Sequence, residues 1–175
     1  KLRAVRPDIA VTTDIIVGFP GETEEDFEAT MELTRQVRFE NQFSFIFSPR
    51  PKTAAGLNEE KWGPVPHEVK LARLERLQKL QRQITGELMA VDVGRSLEVL
   101  VENESKFDAS RRFGRSAQNR TVNFDGDAPA GSIVSVLIEK SSPNALSGKQ
   151  ERVLSPPSVA VPLPVKEAPE LCAAH

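Results

Sequence analysis

The stretch Thr12–Thr30, TTDIIVGFPGETEEDFEAT, decides how the first third of this 175-residue chain folds. Its opening residues are rich in Ile, Val and Thr, and with the residues just before them positions 8–18 read as a buried strand. Pro20 and Gly21 follow Phe19 and stop that strand. Thr23 suits a helix cap, and Glu24, Glu25 and Asp26 put negative charge in the first turn, where the helix dipole favours it. Phe27, Thr30, Met31, Thr34 and Val37 then recur at helical spacing as an inner face. Further on, Phe43, Phe45 and Phe47 alternate with Ser44, Ile46 and Ser48, the period of two of a strand. Strand, a helix of about 15 residues and strand make a βαβ unit, with parallel strands and a right-handed crossover.

Beyond this unit the composition narrows the function classes. Charge is nearly balanced, 23 Lys and Arg against 25 Asp and Glu, and 39% of residues are apolar. That excludes a collagen and a wholly disordered chain. No apolar run approaches the ~20 residues of a membrane-spanning helix, so no membrane partner is expected. One cysteine, Cys172, makes neither an internal disulfide nor a cysteine-ligated metal site. His67 and His175 lie far apart in sequence, and no metal ligands are expected. No basic-then-apolar leader is visible after Lys1, which reads as cytoplasmic. A strand this close to the first residue, with nothing before it to pair with, reads as a piece of a longer fold.

Residues 49–66 hold Pro49, Pro51, Gly56, Gly63, Pro64 and Pro66 and read as a loop. His67 to about Val91 reads as one long helix, with Leu71, Leu74, Leu77, Leu80, Ile84 and Leu88 as its apolar positions. Lys70, Arg73, Arg76, Lys79 and Arg82 follow every third residue. Each such step falls ~60° short of a turn, so the row winds around the helix and reads as solvated surface. From residue 92 short β-like runs appear, SLEVLVE, RTVNFDG and SIVSVLIEK, punctuated by glycines. They predict a small antiparallel β-barrel of the oligonucleotide-binding kind over residues 92–149. Residues 150–175 carry five prolines and read as a disordered tail. The fold class is therefore α/β, a parallel-stranded part over residues 1–91 followed by the barrel.

Three places are candidates for chemistry. Gly18-Phe19-Pro20-Gly21-Glu22 ends the first strand just before a helix, where α/β proteins bind ligands and where backbone N–H groups are free. A tight strand-to-helix turn also needs glycine for structural reasons alone. Ser48-Pro49-Arg50-Pro51-Lys52-Thr53 follows the second strand, at the same end of the sheet, and Arg50 offers a fixed positive charge; the prolines equally serve to stiffen the strand exit. Lys106–Arg120, KFDASRRFGRSAQNR, has basic residues at 106, 111, 112, 115 and 120 against the single acid Asp108. Phe107 and Phe113 interleave with them, and Asn119 stands beside the last. Cations for phosphates with aromatics for bases is the composition of an RNA surface, the other reading being an ordinary basic hairpin.

TTDIIVGFPGETEEDFEAT, FSFIFSPRPKTAA, GRSAQNRTVNFDG and SIVSVLIEKSSPNALSG together resemble the C-terminal half of the radical S-adenosylmethionine methylthiotransferases, over roughly residues 1–149. The nearest branch converts isopentenyl-adenosine beside the tRNA anticodon to its 2-methylthio form. The resemblance implies that the first strand is the fifth of a partial (β/α) barrel and that Phe47 and Ser48 end the sixth. It implies that Ile16, Gly18, Pro20, Gly21, Glu22, Phe47 and Ser48 lie against the adenosine part of S-adenosylmethionine. It makes residues 92–149 a TRAM domain, a tRNA-binding barrel, with Lys106, Phe107, Arg111, Arg112, Phe113, Arg115, Asn119 and Arg120, together with Arg50, on the RNA side. The parent of such a chain carries two [4Fe-4S] clusters, and the family's CxxxCxxC loop and N-terminal domain are absent from these residues. No catalytic residue is expected here, and the chain alone is expected to be inactive. The implied partners are the anticodon stem-loop of tRNA and the N-terminal remainder of the chain, in a monomeric parent. Lys52 stands where the family shows glycine, and Ala54 where it often shows proline. Two alternatives remain: a sister methylthiotransferase acting on threonylcarbamoyl-adenosine tRNA or a ribosomal-protein aspartate, and a non-catalytic RNA-binding adaptor.

Overall fold

The computed structural model describes residues 1–105 and 108–157. After a single helical turn, α1 (Leu2–Val5), the expected βαβ unit forms: β1 (Thr12–Val17), α2 (Glu24–Val37) and β2 (Asn41–Ile46). β1 and β2 are parallel, in register from Thr12↔Asn41 to Val17↔Ile46. Thr23 caps α2 in a capping box: its Oγ1 accepts from the Asp26 N–H, and the Asp26 carboxylate accepts from the Thr23 N–H. Phe27, Met31 and Thr34 are the buried positions of α2.

α4 (His67–Ala90) packs beside α2 on the same side of the two strands. Val17, Phe27, Met31 and Leu77 form the core there, flanked by Ile15, Ile46, Leu74 and Leu80. The other sheet face carries Asp14, Ile16, Phe43 and Phe45, all exposed, so the phenylalanine row belongs to an open face and not to a core.

Two expectations for this half need correction. The segment read as a loop, 49–66, contains α3 (Ala54–Trp62), capped by Thr53, whose Oγ1 accepts from the Gly56 N–H. The basic row on α4 is not all solvated: Lys70 and Arg73 are buried with Leu77, Gln81, Ile84 and Met89, while Leu71 is exposed. The cause is acids on neighbouring segments: Lys70 reaches Glu59 of α3 at 3.7 Å, and the arginines reach the acidic start of α2. Arg73 donates to Glu22 at 2.8 Å and to Glu24 at 3.2 Å, and Arg76 donates to Glu24 at 2.5 Å and to Glu28.

The second half is a closed five-stranded barrel, β3 (Ser96–Ser105), β4 (Asp108–Ser116), β5 (Thr121–Asp125), β6 (Ile133–Ser141) and β7 (Leu146–Ser155), in the order β3-β4-β5-β7-β6. It is not wholly antiparallel as expected. The chain reverses twice between β5 and β7, and β7 rather than β6 lies beside β5, so that pair is parallel, from Val122↔Leu146 to Asp125↔Lys149. β7 also takes residues 150–155 out of the predicted tail; residues 158–175 lie outside the described residues. Val99, Val101, Val122, Phe124, Val134, Val136, Ile138 and Leu146 fill the interior. Closure leaves β4 so near β3 that a Cβ on Gly114 would stand 2.2 Å from the Leu100 carbonyl oxygen, a distance only glycine permits. No helix among the described residues is long and apolar enough to cross a membrane.

Candidate nucleic-acid interface and strand-end turn

The parallel register brings the two predicted strand-end segments together. The Phe47 N–H donates to the Val17 carbonyl at 2.8 Å, which sets Gly18 and Phe47 side by side. The Phe19 ring meets Phe47 edge-on at 5.2 Å and leans on Trp62 at 6.2 Å. Lys70 Nζ stands 5.4 Å from the Phe47 ring centre and 3.7 Å from Glu59. Ile16 is exposed on the open face, Phe47 is half-buried, and Ser48 and Arg50 are exposed.

The backbone donors expected to be free at this turn are in use. Glu22 Oε2 accepts from the N–H groups of Gly18, at 2.7 Å, and Phe19, at 3.3 Å, while its Oε1 takes the Arg73 guanidinium. Glu22 is thus folded into the turn it was expected to present to a ligand, and the capping box occupies the N–H groups of Thr23 and Asp26. Gly18 has φ +71°, and a Cβ there would stand 2.4 Å from Lys70 Cγ, so the close passage of α4 requires this glycine. What the turn leaves open is apolar: Ile16 and Phe19 are exposed, with Phe47 half-buried beside Phe19. Lys52, where the resemblance shows glycine, adopts the left-handed conformation itself, with φ +66°.

On the barrel, strand alternation sorts the arginines. Arg111, Phe113 and Arg115 share the outer face of β4, opposite Asp125, Asn123 and Thr121 of β5. The Arg115 guanidinium lies 5.5 Å from the Phe113 ring centre. Arg111 pairs with Asp125 at 2.9 Å and Arg115 reaches Glu102 at 3.8 Å; both pairs lie partly exposed on the barrel surface, of the kind worth about 1 kcal/mol and open to competition from a phosphate. Arg112 falls on the other side of the strand, and its Nε donates to the Ala128 carbonyl at the barrel end. Asn119, at φ +62°, shapes the β4–β5 turn. Lys106 and Phe107 lie outside the described residues.

Arg120 does not join this stripe, which corrects its assignment to RNA. Its guanidinium is nearly buried between Glu40, at 2.6 and 3.0 Å, and Asp92. Burial opposes the charge on Arg120, but the two carboxylates outweigh it and raise the pKa. Glu40 precedes β2 and Asp92 follows α4, so Arg120 ties the barrel to the α/β unit. Sequence reading had no signal for this tie, because its partners lie 80 and 28 residues away.

Residues 90–150 match the TRAM domain family. Over 170 residues, 97% of its length, the chain is 67% identical to a tRNA-2-methylthio-N(6)-dimethylallyladenosine synthase of Myxococcus xanthus. The chain is a homologue of these synthases. It is 49% identical over 154 residues to the synthase of the same name from Anaeromyxobacter dehalogenans, and 48% identical over 151 residues to that of an Acidovorax species. It spans about a third of the length of the curated relatives it matches, 37% of the first and 33% of the other two. The closed barrel is therefore a TRAM domain, and the βαβ unit with α4 precedes it.

Among the described residues no group of three or more His, Cys, Asp and Glu is placed to hold a metal ion. The single cysteine of the chain falls short of the three or four thiolates that an iron–sulfur cluster takes, so these residues do not fit either cluster of the resemblance. The strand-end turn fits S-adenosylmethionine in part: its open surface is apolar, as an adenine face requires, while its backbone donors are already engaged.

Proposed function

We propose that this chain is the tRNA-binding domain and part of the cofactor-binding domain of a cytoplasmic enzyme that methylthiolates isopentenyl-adenosine beside the anticodon. The observation that carries this is the 67% identity along 97% of the chain to a synthase named for that product. In this reading β1 and β2 are neighbours in a larger parallel barrel whose other strands come from the part of the relatives that these residues do not span. The open face with Ile16, Phe43 and Phe45 then looks into that barrel. Ile16 and Phe47 present apolar surface to the adenosine of S-adenosylmethionine, and Gly18, Pro20, Gly21 and Glu22 build the turn that positions them. Bound beside a cluster held elsewhere in the enzyme, that cofactor supplies the radical; these residues orient its adenosine and exclude water.

The RNA-binding part of the reading is tested on the chain as it stands. A tRNA anticodon stem-loop should bind with an affinity that falls as salt rises, because the Arg111–Phe113–Arg115 stripe displaces counterions from phosphates. Replacing Arg111 and Arg115 together by Ala should flatten the slope of log K against log salt by about one to two units. An unchanged slope in a folded double variant would move the RNA surface elsewhere. Methylthiolation itself is read by nucleoside mass spectrometry with the full-length protein.

A further inference from the structure

The TRAM barrel does not sit flush against β2 and α4. Between them run two adjoining hollows of about 250 and 200 Å3, which share Asn41, Thr85, Pro143 and Asn144 as walls. The first extends to Gln42, Gln78, Gln81 and Arg82, and the second extends to Arg115, Gln118 and Asn119. Amides dominate these walls. The one carboxylate among them, Glu40, is already bound by Arg120.

An amide carries a donor and an acceptor in one plane, the pattern that a base edge presents in return. The two deepest amides have acceptors to spare. Gln81 uses its NH2 on the Phe39 carbonyl and Thr85 Oγ1, and Gln42 uses its own on Ser44 Oγ. Both residues are more than nine-tenths buried, and Oε1 of each has no hydrogen-bond partner. A buried acceptor left in that state costs about 1–3 kcal/mol, and because each oxygen is itself shielded, a ligand N–H recovers that cost once the amide turns its oxygen into the hollow. The exocyclic amino group of a base is such a donor.

The position of the cleft selects the ligand. Arg115 belongs both to the outer stripe of β4 and to the second hollow, so the cleft continues the stripe inward. Asn41 and Gln42 stand at the start of β2, whereas Phe47 follows its end, about 20 Å away for a six-residue strand. The cleft is thus remote from the strand-end turn and suits nucleotides several positions away from the reacting base.

We propose that this amide-lined cleft binds unpaired nucleotides of the RNA that lies along the Arg111–Phe113–Arg115 stripe, and reads their base edges. This rests on the RNA-binding reading above. The probes are an anticodon stem-loop and a blunt RNA duplex of equal length, titrated against the 175-residue chain at several salt concentrations. Gln78→Leu with Asn144→Leu, at the rim of the cleft, should weaken stem-loop binding about tenfold, or about 1.4 kcal/mol, and leave duplex binding unchanged. The salt slope should not move, because neutral amides release no counterions. Gln78→Glu, of nearly the same shape, should weaken stem-loop binding too, and circular dichroism melting checks that each variant is folded. Unchanged stem-loop affinity in either folded variant, or an equal loss on duplex or a flattened slope in the folded leucine variant, would overturn the proposal. Failure of the unaltered chain to bind either RNA would instead strike down the RNA-binding reading itself.

Discussion

The two halves of the molecule solve the burial problem differently. The TRAM barrel closes on itself, pairs every strand on both sides and fills its interior with β-branched and aromatic side chains. The α/β unit has two strands, a core cluster of Val17, Phe27, Met31 and Leu77, and an open sheet face. In place of apolar area it relies on ionic contacts between the start of α2 and α4, with Arg73 nearly buried among Glu22 and Glu24. The barrel's nearly buried charge, Arg120, lies at the junction with the α/β unit, between Glu40 and Asp92, and not in its apolar core; in the α/β unit Arg73 is drawn in beside the core itself.

That contrast can be broken at single residues. Phe124→Ala empties the centre of the barrel and should cost about 3–5 kcal/mol, whereas Phe43→Ala, on the open face, should change stability by less than about 0.5 kcal/mol. Urea denaturation of both variants reads the difference. Arg73→Ala leaves the nearly buried Glu22 carboxylate without its partner and should cost about 3 kcal/mol; Arg76→Ala, half-exposed, should cost less than about 1 kcal/mol. Equal losses for the two arginines would mean that burial does not set the strength of this network.

Acid sharpens the contrast. Hydrogen bonds from Arg76 and Arg73 lower the Glu24 pKa, those from Thr23 lower the Asp26 pKa, and those from Arg38 and Gln83 lower the Glu87 pKa. A carboxylate with a depressed folded pKa stabilises above its unfolded value and loses that contribution as pH falls through the folded one. The α/β unit should therefore hold full stability above about pH 5 and weaken as pH falls through 4. In the barrel, among the described residues, hydrogen bonds from Ser96 and Ser135 lower the pKa of Glu151 alone in this way, so its dependence should be weaker. Melting followed at pH 7 and pH 3.5 should show the first transition moving further, and Asp26→Asn should reduce that movement. The smallest effect concerns Lys52. Glycine relieves its left-handed backbone, and Lys52→Gly should be neutral to stabilising by up to about 1 kcal/mol in thermal melts.

What could be read from the sequence was local. The Thr23 cap, the parallel pairing and the span of α4 rest on neighbouring residues and on periodicity, and each appears as expected. α3 escaped notice because AAGLNEEKW buries no residue and so has no apolar face, and prolines flank it. The burial of Lys70 and Arg73 could not be read because their partners come from other helices, and the same holds for Arg120. The direction of β7 was hidden because alternation within a strand does not say which strand lies beside it. In the candidate site, alternation along β4 gathered Arg111, Phe113 and Arg115 onto one face and put Arg112 on the other. The donors of the Gly18–Glu22 turn were misjudged because Glu22, four residues on, folds back onto them.

Hydrogen–deuterium exchange of the 175-residue chain, followed by mass spectrometry, tests the inequality of the two halves most directly. Closed pairing should protect the amides of β3 to β7 up to the global stability, while β1 and β2, each with one unpaired edge, exchange orders of magnitude faster. Limited proteolysis of the same sample should leave a resistant fragment that begins near residue 90 and ends near residue 155. Equal protection across β1, β2 and the barrel would contradict this, and would make the two-stranded unit a complete fold in its own right.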